Sequence, residues 1–349
     1  MSDLPLMLKT EILVIGAGVL GLCTAVELTR RGHDVRVLDP GERNASSVAA
    51  GMIAPALEAV LDKVPPERAR LFAEARRAWD EFAEAAGVTI HAAPTLWAGG
   101  EADEIAVTAA ALGFEVAGDP QRPIPTSDVL IEPGPALAAM RAALKHPVIV
   151  GRAFEVARLA HGWCVTTGDG KAGAGVIEAA KIVVATGAAA GVAGLPEAAA
   201  SLIMQISPIR GQIGFVAGLT PEAVVRGRGL YVAPSGDGAV VGATMEAGRT
   251  DLEPDAEAGA RLVAGGEGLI GRAIEGAIDW RVGIRGSTPD GLPMAGASGD
   301  EGLFLALAPR RNGWLLGALV GQVVADEIEG GGARSPHAAA LDPRRFVSR

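Results

Sequence analysis

The first forty residues carry the hydrophobic pattern of a parallel α/β unit. Residues 12–15 form a continuous apolar run, which is typical of a strand buried on both faces of a parallel sheet. Apolar spacing from Val19 to Arg31 predicts a helix, and "HDVRVLD" (33–39) predicts a second buried strand. The order strand, helix, strand predicts a parallel sheet covered by helices.

Helical and strand patterns continue to alternate up to residue 187. Apolar residues at helical spacing predict helices in residues 65–87 and 134–145. Short strands are then predicted in residues 147–151, 153–159, 163–167, 174–179 and 181–187, with turns at His161-Gly162 and at 168–171. The last four of these strands are expected to form a meander.

From residue 207 the chain changes to glycine-containing strands. These are predicted in residues 208–216, 229–234, 239–245 and 277–284, around one helix near residues 253–269. The stretch 302–331 predicts a strand, a turn with two arginines, and a long helix that ends at glycines. The pattern therefore predicts a second, mixed sheet.

The composition narrows what such a fold can bind. Acidic residues outnumber basic ones by 41 to 31, and the net charge of −10 disfavours nucleic acid or an anionic membrane surface as a partner. The apolar run 12–28 is interrupted by glycines and Glu27, and the first residues lack a signal-peptide pattern. Cys23 and Cys164 have no metal-ligand spacing and are expected to be reduced thiols. Together these features predict a cytoplasmic protein.

A glycine-rich turn joins the first predicted strand to the first helix. Gly16, Gly18 and Gly21 form G-x-G-x-x-G, with Val19 at the helix start, and Asp39 ends the next strand. Such glycines allow a close approach of pyrophosphate to the helix N-terminus, and Asp39 is placed to accept from ribose hydroxyls. The pattern predicts a Rossmann-type dinucleotide site, but by itself it does not separate NAD from FAD.

Two later segments favour FAD. "NASSVAAGMIAP" (44–55) carries small residues and hydroxyls that would let backbone lie against a flat ligand, although it also fits a plain alanine-rich helix start. "VVATG" (183–187) ends a strand at another turn that permits close approach. Cys23 and Cys164 are poorly placed for a flavin bond, so the FAD is expected to be non-covalent.

Three residues are candidates for the substrate site. Arg285 lies in "RVGIRGSTPDG" (281–291), where a cation is costly unless an anion meets it. It either binds a substrate carboxylate through two parallel hydrogen bonds or forms an internal salt bridge to an acid such as Asp279 or Asp290. Tyr231, the single tyrosine, and Met245 are each either site residues or core residues.

Across nearly its whole length the chain resembles the FAD-dependent D-amino acid oxidase family, and most closely its glycine oxidases. The resemblance rests on an ordered set of segments: "VIGAGVLGL", "NASSVAAGMIAP", "ATG", "PIRGQ", "YVAPSGDGAVVGATME", "GIRGSTPDGLPMAG" and "RRNGWLLG". It implies that Arg285 binds the substrate carboxylate, Tyr231 offers a hydroxyl, Met245 forms an apolar wall and Arg311 lies at the flavin and substrate edge. The chain departs from the family at Gly229, where glycine oxidases can carry a histidine.

The same resemblance implies a set of FAD contacts. They are Gly16, Gly18, Val19, Gly21, Asp39, Ala45, Ser46, Ala50, Gly51, Met52, Val156, Ala185, Thr186, Gly187, Arg311, Asn312, Gly313, Trp314 and Leu315. Val156 in particular matches a position that contacts the adenine half. The long helix near Gly313 is expected to point its N-terminus at the flavin.

The expected fold is α/β with two domains, because 349 residues exceed one ordinary core. Residues 1–80, 132–206 and 288–349 are expected to form a Rossmann-type FAD-binding domain. Residues 81–131 and 207–287 are expected to form a mixed-sheet substrate domain, so the chain crosses between the domains more than once.

The resemblance implies oxidative deamination of glycine or a small D-amino acid. Hydride would pass from Cα to flavin N5, molecular oxygen would accept the electrons, and a 2-oxo acid, ammonia and hydrogen peroxide would form. A dehydrogenase or N-demethylating oxidase for sarcosine, proline or a similar amine stays open, as do a non-catalytic FAD-binding subunit and a homo-oligomer.

Overall fold

The computed structural model describes residues 7–117, 124–125, 127–168, 175–188, 192–330 and 335–347. Its helices are α1 (Val19–Arg30), α2 (Ala45–Val48), α3 (Pro55–Leu61), α4 (Pro66–Ala86), α5 (Ala102–Ala111), α6 (Pro133–Ala142), α7 (Glu197–Ile203), α8 (Ala256–Ile270), α9 (Gly313–Glu329) and α10 (Ala338–Leu341), followed by a 3₁₀ turn at Pro343–Phe346. Within the described part of the chain, no helix is both long and apolar enough to cross a membrane.

The strands fall into two groups along the chain. Those before residue 190 are β1 (Met7–Ile15), β2 (Val35–Asp39), β3 (Met52–Ile53), β4 (His91–Ala92), β5 (Thr95–Trp97), β6 (Val116–Ala117), β7 (Ile124–Pro125), β8 (Val129–Leu130), β9 (Ile149–Val150), β10 (Arg152–Arg158), β11 (Trp163–Gly168) and β12 (Gly175–Val184). Those after it are β13 (Ser207–Ala217), β14 (Val224–Gly227), β15 (Leu230–Ser235), β16 (Gly238–Gly242), β17 (Glu246–Ala247), β18 (Ile278–Ser287), β19 (Met294–Ala297) and β20 (Leu303–Leu307).

The larger sheet places the predicted N-terminal unit at its centre. Its main order is β10-β11-β12-β1-β2-β9, with β20 beside the C-terminal half of β12 and β19 beside β20. Strand β1 runs parallel to both β12 and β2. Ile12 and Val14 pack into the hydrophobic core on one face, while Leu13 and Ile15 pack into the core on the other. The prediction of a parallel strand buried on both faces is confirmed.

The second sheet is mixed, as expected. Its order is β17-β13-β16-β15-β14-β5, with β18 also paired to β13, and every pairing is antiparallel except that of β14 with β5. It therefore combines a strand from residues 81–131 with strands from residues 207–287. The division into two domains stays a prediction, and its boundary between residues 80 and 81 falls inside α4.

One strand prediction was wrong. Residues 174–179 and 181–187 were expected to form two strands, but β12 is continuous from Gly175 to Val184. It is continuous because its N-terminal half pairs with β11 and its C-terminal half with β20, so both halves have a partner on that side. The turn expected at 168–171 lies outside the described residues from position 169 on.

Candidate active site

A cavity of about 450 Å³ lies at the carboxyl ends of the parallel strands. Gly16 and Gly18 follow β1, Asp39 ends β2, and the turn 185–187 follows β12, and all of them line this cavity. The carboxyl ends of parallel strands are where α/β sheets bind nucleotides. The sequence-predicted dinucleotide residues are therefore brought together.

The glycines leave room that side chains would fill. Gly16 has a φ of +114°, and a Cβ there would lie 2.4 Å from the Ala185 carbonyl oxygen. A Cβ on Gly21 would lie 2.0 Å from the Gly16 carbonyl oxygen, which keeps α1 close to the turn. Gly18 is the N-cap of α1 and has no side chain, and the Val19 amide donates to the Ser46 Oγ at 2.9 Å, with Gly18 and Ser46 both lining the cavity. This arrangement fits a pyrophosphate group.

Asp39 is held rigidly at the cavity wall. One carboxylate oxygen accepts from the Ala17 amide at 2.7 Å and the other from the Gly41 amide at 2.8 Å. Each oxygen retains a second lone pair that can accept from a ribose hydroxyl.

Two smaller cavities, of about 90 and 280 Å³, adjoin the first, and Ala45 lines all three. Ala45 begins α2, whose N-cap Asn44 forms a capping box with Ser47. Gly283 of β18 allows close approach here, because a Cβ on it would lie 3.1 Å from the Ala45 Cα. Together these adjoining cavities, which we call the groove, are lined by residues from the G-x-G-x-x-G turn to Arg285. The small-residue walls of the groove suit FAD.

The predicted FAD residues fall into two sets. The following line at least one cavity: Gly16, Gly18, Val19, Asp39, Ala45, Ser46, Ala50, Gly51, Met52, Ala185, Thr186, Gly187, Arg311, Asn312, Gly313 and Trp314. Gly21, Leu315 and Val156 do not. Leu315 is buried within α9, and Gly21 packs against Gly16.

Val156 lies away from the groove. Its side chain is buried in the core and its amide donates to the Ala193 carbonyl oxygen at 2.8 Å. Ala153, three residues earlier on β10, lines instead the 450 Å³ cavity, which we call the nucleotide cavity. The adenine contact assigned to Val156 therefore stays a prediction, with Ala153 as the better-placed residue.

Arg285 has no acid partner among the described residues. Its Nη1 donates to the Thr244 carbonyl oxygen at 3.1 Å and contacts the Met245 Sδ at 3.5 Å. Asp279 instead pairs with Arg281 at 2.7 Å, and Asp290 pairs with Arg345 at 2.9 Å. The internal salt bridge that the sequence left open is therefore absent.

The Arg285 guanidinium lies over the second sheet at the wall of the 280 Å³ cavity. A Cβ on Gly211 would lie 2.1 Å from the Arg285 Nη1, so only glycine leaves space for it. Burial lowers the pKa of Arg285, but an arginine remains charged at neutral pH. A half-buried cation without a counter-ion in the described chain faces the cavity, which suits a carboxylate ligand.

Tyr231 and Met245 line the same cavity. Met245 is 42% exposed, so the alternative that it is a core residue is wrong. Tyr231 is paired with Gly242 across the sheet, and a Cβ on Gly242 would lie 2.6 Å from the Tyr231 hydroxyl. Burial raises the pKa of Tyr231, so its hydroxyl keeps its proton and can donate a hydrogen bond.

Arg311 is held in place by a buried ion network. Sequence reasoning missed this network. Glu58 accepts from the Arg311 Nε at 2.6 Å and from the Arg226 Nη2 at 2.8 Å. Burial favours neutral Glu58, but the charges of both arginines outweigh it and lower its pKa to about 2. Asp62 contacts Arg311 at 3.1 Å and Arg310 at 3.0 Å. The one sequence signal for this network was Arg226 itself, a cation in the apolar strand "AVVRG".

The cavity walls offer no metal site. Within the described ranges, no group of three or more His, Cys, Asp or Glu side chains is arranged to hold a metal ion. Neither Cys23, inside α1, nor Cys164, on β11, lines a cavity.

Comparison with known proteins identifies relatives along almost the full chain. A family model described as "DAO: FAD dependent oxidoreductase" matches residues 11–327. Glycine oxidase of Geobacillus kaustophilus (strain HTA426) is 28% identical over 366 residues, covering 92% of this chain and 93% of that protein. The tRNA 5-methylaminomethyl-2-thiouridine biosynthesis bifunctional protein MnmC of Paracidovorax citrulli (strain AAC00-1) is 30% identical over 386 residues, covering 92% of this chain and 58% of that protein.

Solved structures share the fold. The crystal structure of glycine oxidase from Geobacillus kaustophilus matches with a TM-score of 0.81 at 24% identity, covering 97% of this chain and all of that one. The crystal structure of L-proline dehydrogenase from P. horikoshii matches with a TM-score of 0.77 at 19% identity, covering 98% of each chain. The α/β fold class expected from the sequence is confirmed.

Proposed function

The chain belongs to the DAO family of FAD dependent oxidoreductases, and we propose that it oxidatively deaminates glycine or a small D-amino acid. The observation that carries this proposal is Arg285, a half-buried arginine without an acid partner among the described residues, at the wall of the cavity. An α-carboxylate would supply the missing anion through two parallel hydrogen bonds.

The groove fits non-covalent FAD. Gly16 and Gly18 would accommodate the pyrophosphate and Asp39 the ribose, while Ala45, Gly51 and Trp314 would border the ring system. Bound FAD would supply the two-electron acceptor for hydride from the substrate Cα. Because α9 begins at Gly313 beside the 90 Å³ cavity, the positive end of its dipole stabilises negative charge there.

The protein's own task is to orient the substrate and exclude water. Arg285 fixes the carboxylate, the Tyr231 hydroxyl donates to it, and Met245 covers the site. Glu58, the single carboxylate that lines this cavity in the described chain, is ionised and held by two arginines. It is therefore a poor base, and the substrate amine loses its proton to water before hydride leaves. The resulting imino acid hydrolyses to a 2-oxo acid and ammonia.

A secondary amine is the second candidate substrate. Gly229 lines the cavity, and a Cβ built there would meet nothing within 4 Å, so an N-substituent has room. The names of the relatives also include a methylaminomethyl nucleoside enzyme and a proline dehydrogenase. Sarcosine and proline represent this class.

An anaerobic flavin-bleaching screen tests the proposal. The purified chain is mixed with glycine, sarcosine, proline or either alanine enantiomer, and flavin absorbance is followed. Bleaching by glycine or D-alanine supports deamination, and bleaching by sarcosine or proline alone moves the assignment to secondary amines. If none of these compounds bleaches the flavin, the chain is better interpreted as a non-catalytic FAD-binding subunit. Oxygen consumption, compared with dye reduction, tests our assignment of oxygen as the acceptor.

A further inference from the structure

We propose that the 280 Å³ cavity holds a second anion site, formed by Arg226 and Arg228, and that the preferred substrate is an amino acid carrying a second carboxylate. The second carboxylate would be on the side chain or on the amine nitrogen. This inference rests on the proposed function, because it assigns the α-carboxylate to Arg285.

Arg226 is the first observation. It lies on β14, is 6% exposed and lines the cavity. Its Nη2 donates to Glu58, but its Nε and Nη1 are buried and have no hydrogen-bond partner in the described chain. Leaving buried guanidinium N–H groups without an acceptor is costly. Nε and Nη1 do not open onto the cavity in this structure, so a ligand carboxylate would reach them only if the Arg226 side chain turned toward it, and the described chain supplies Arg226 with the single acceptor Glu58.

The nearby acid does not supply that acceptor. Asp128 accepts from Thr95 through Oδ2 at 2.6 Å, while its Oδ1 has no partner in the described chain. Burial raises the pKa of Asp128 to about 7, so much of it is neutral at physiological pH. Arg226 therefore depends on Glu58, which it shares with Arg311.

The charges of Arg226 and Arg285 act on the same part of the cavity, beside Tyr231. Arg226 is the direct ladder partner of Tyr231, so both side chains lie on the same face of the sheet. Burial raises the pKa of Tyr231, while the charges of Arg285 and Arg226 both lower it, so both cations act on the same hydroxyl. A molecule with two carboxylates matches this arrangement.

Arg228 adds a cation at the cavity rim. It lies in the turn between β14 and β15, its side chain is 60% exposed, and it pairs with Glu101. An exposed ion pair contributes little, so Arg228 can exchange Glu101 for a ligand carboxylate at small cost. Gly229 beside it leaves the rim open, because a Cβ there meets no atom within 4 Å.

The charge of the cavity wall also favours a ligand with two carboxylates. Within the described chain its lining contains four arginines, at positions 226, 228, 285 and 311, and one carboxylate, Glu58. Asp62, behind the wall, is shared by Arg310 and Arg311. After one α-carboxylate has bound Arg285, an excess of positive charge remains around Arg226.

Non-oxidisable anions give the most direct test. Succinate and glutarate are titrated into the oxidised holoenzyme beside propionate and butyrate, and the flavin absorbance change gives each Kd. We expect the dicarboxylates to bind at least about tenfold more tightly, since charge-assisted hydrogen bonds to arginine are strong. Equal Kd values would overturn the second site.

Substitutions assign the effect to residues. Arg228→Gln and Arg226→Gln should each reduce the dicarboxylate preference, and Arg226→Lys, which can still pair with Glu58, guards against a folding defect. Arg261→Gln is the matched control, because Arg261 is an exposed arginine of α8 paired with Glu257, and it should leave the preference unchanged. A preference that survives in all three cavity variants would overturn the assignment.

Pairs of amine substrates, one with a second carboxylate and one without, distinguish the dicarboxylate preference from the proposed function itself. D-aspartate is compared with D-asparagine, and iminodiacetate with sarcosine, as the kcat/KM of anaerobic flavin reduction. Preference for the diacid in each pair supports the inference. Turnover of neutral amino acids without a diacid preference overturns the inference and leaves the proposed function standing. Absence of any turnover overturns the proposed function, while the anion titrations still report on the second site.

Discussion

Arg210 and Arg285 lie on adjacent strands of one sheet but have opposite surroundings. Arg285 is paired in register with Ile209, so Arg285 and Arg210 point to opposite faces. Arg210 is fully buried and its side chain contacts Glu246, the Asp251 carboxylate and carbonyl, and the Glu253 carbonyl. Arg285 has a single carbonyl and a thioether.

The difference separates two roles of arginine in this sheet, because Arg210 is fully buried and Arg285 is half-buried at a cavity. Arg210 has acceptors within the protein and holds the segment 246–255, of which Thr250 and Leu252 line the nucleotide cavity. Arg285 has donors left over, and these face a cavity. Removing Arg210 should therefore damage the fold, and removing Arg285 should damage substrate binding.

Arg285→Ala should produce the largest effect. Loss of a charge-assisted contact in a dry site costs on the order of 3–5 kcal/mol, or about two to four decades in kcat/KM. Flavin content and Tm should stay close to wild type, because no internal acid loses its partner. Arg285→Lys should restore part of the activity, since an ammonium lacks the planar fork. A large drop in Tm would mean that Arg285 serves the fold.

Arg210→Met should have the opposite profile. Removing one partner of a buried ion pair costs about 3 kcal/mol of unfolding free energy, which urea denaturation would measure. FAD should also bind more weakly, since the segment bearing Thr250 and Leu252 loses its anchor, and ultrafiltration would measure this release. An unchanged unfolding midpoint would refute the structural role.

Met245→Glu would make Arg285 resemble Arg210. The Met245 Sδ lies 3.5 Å from the Arg285 Nη1, so a carboxylate there can occupy the guanidinium. We expect KM to rise about tenfold, equivalent to about 1.4 kcal/mol, with Tm equal or higher. Met245→Gln is the control of similar size without the charge. Similar KM values for both variants would show that Arg285 does not bind the added acid.

Acid should weaken the Arg210 region by a smaller amount. Hydrogen bonds from Arg249, together with the charge of Arg210, lower the pKa of Asp251 below the unfolded value of about 3.9. Its contribution to stability is therefore complete above that value and is lost as pH falls through the lower folded pKa. Urea midpoints measured from pH 6 to pH 3 should fall at the acidic end, and less steeply in Asp251→Asn. If the urea midpoints of wild type and Asp251→Asn fall equally steeply with pH, Asp251 does not contribute to this pH dependence.

Local features of the fold could be predicted from the sequence. Gly16, Gly18 and Gly21 lie within one turn, so their spacing alone was enough to predict a dinucleotide site there. Strand and helix patterns also identified both sheets. The break expected within β12 shows the limit, because the neighbour that keeps this strand continuous is β20, more than a hundred residues later.

Long-range side-chain partners could not be predicted. Glu58 is 168 residues from Arg226 and 253 residues from Arg311, and no pattern links them. The sequence likewise could not show that Arg345 occupies Asp290. The register shift between Ala153 and Glu155, which affects which residues of β10 face the groove, could not be predicted either.

The coupling between Arg285 and the substrate carboxylate tests the central claim most directly. Anaerobic flavin reduction is measured for wild type and Arg285→Ala, each with D-alanine and with ethylamine, which lacks the carboxylate. We predict that wild type prefers D-alanine by about two to four decades in kcat/KM and that the variant loses nearly all of this preference. A preference that persists undiminished in Arg285→Ala would contradict the account.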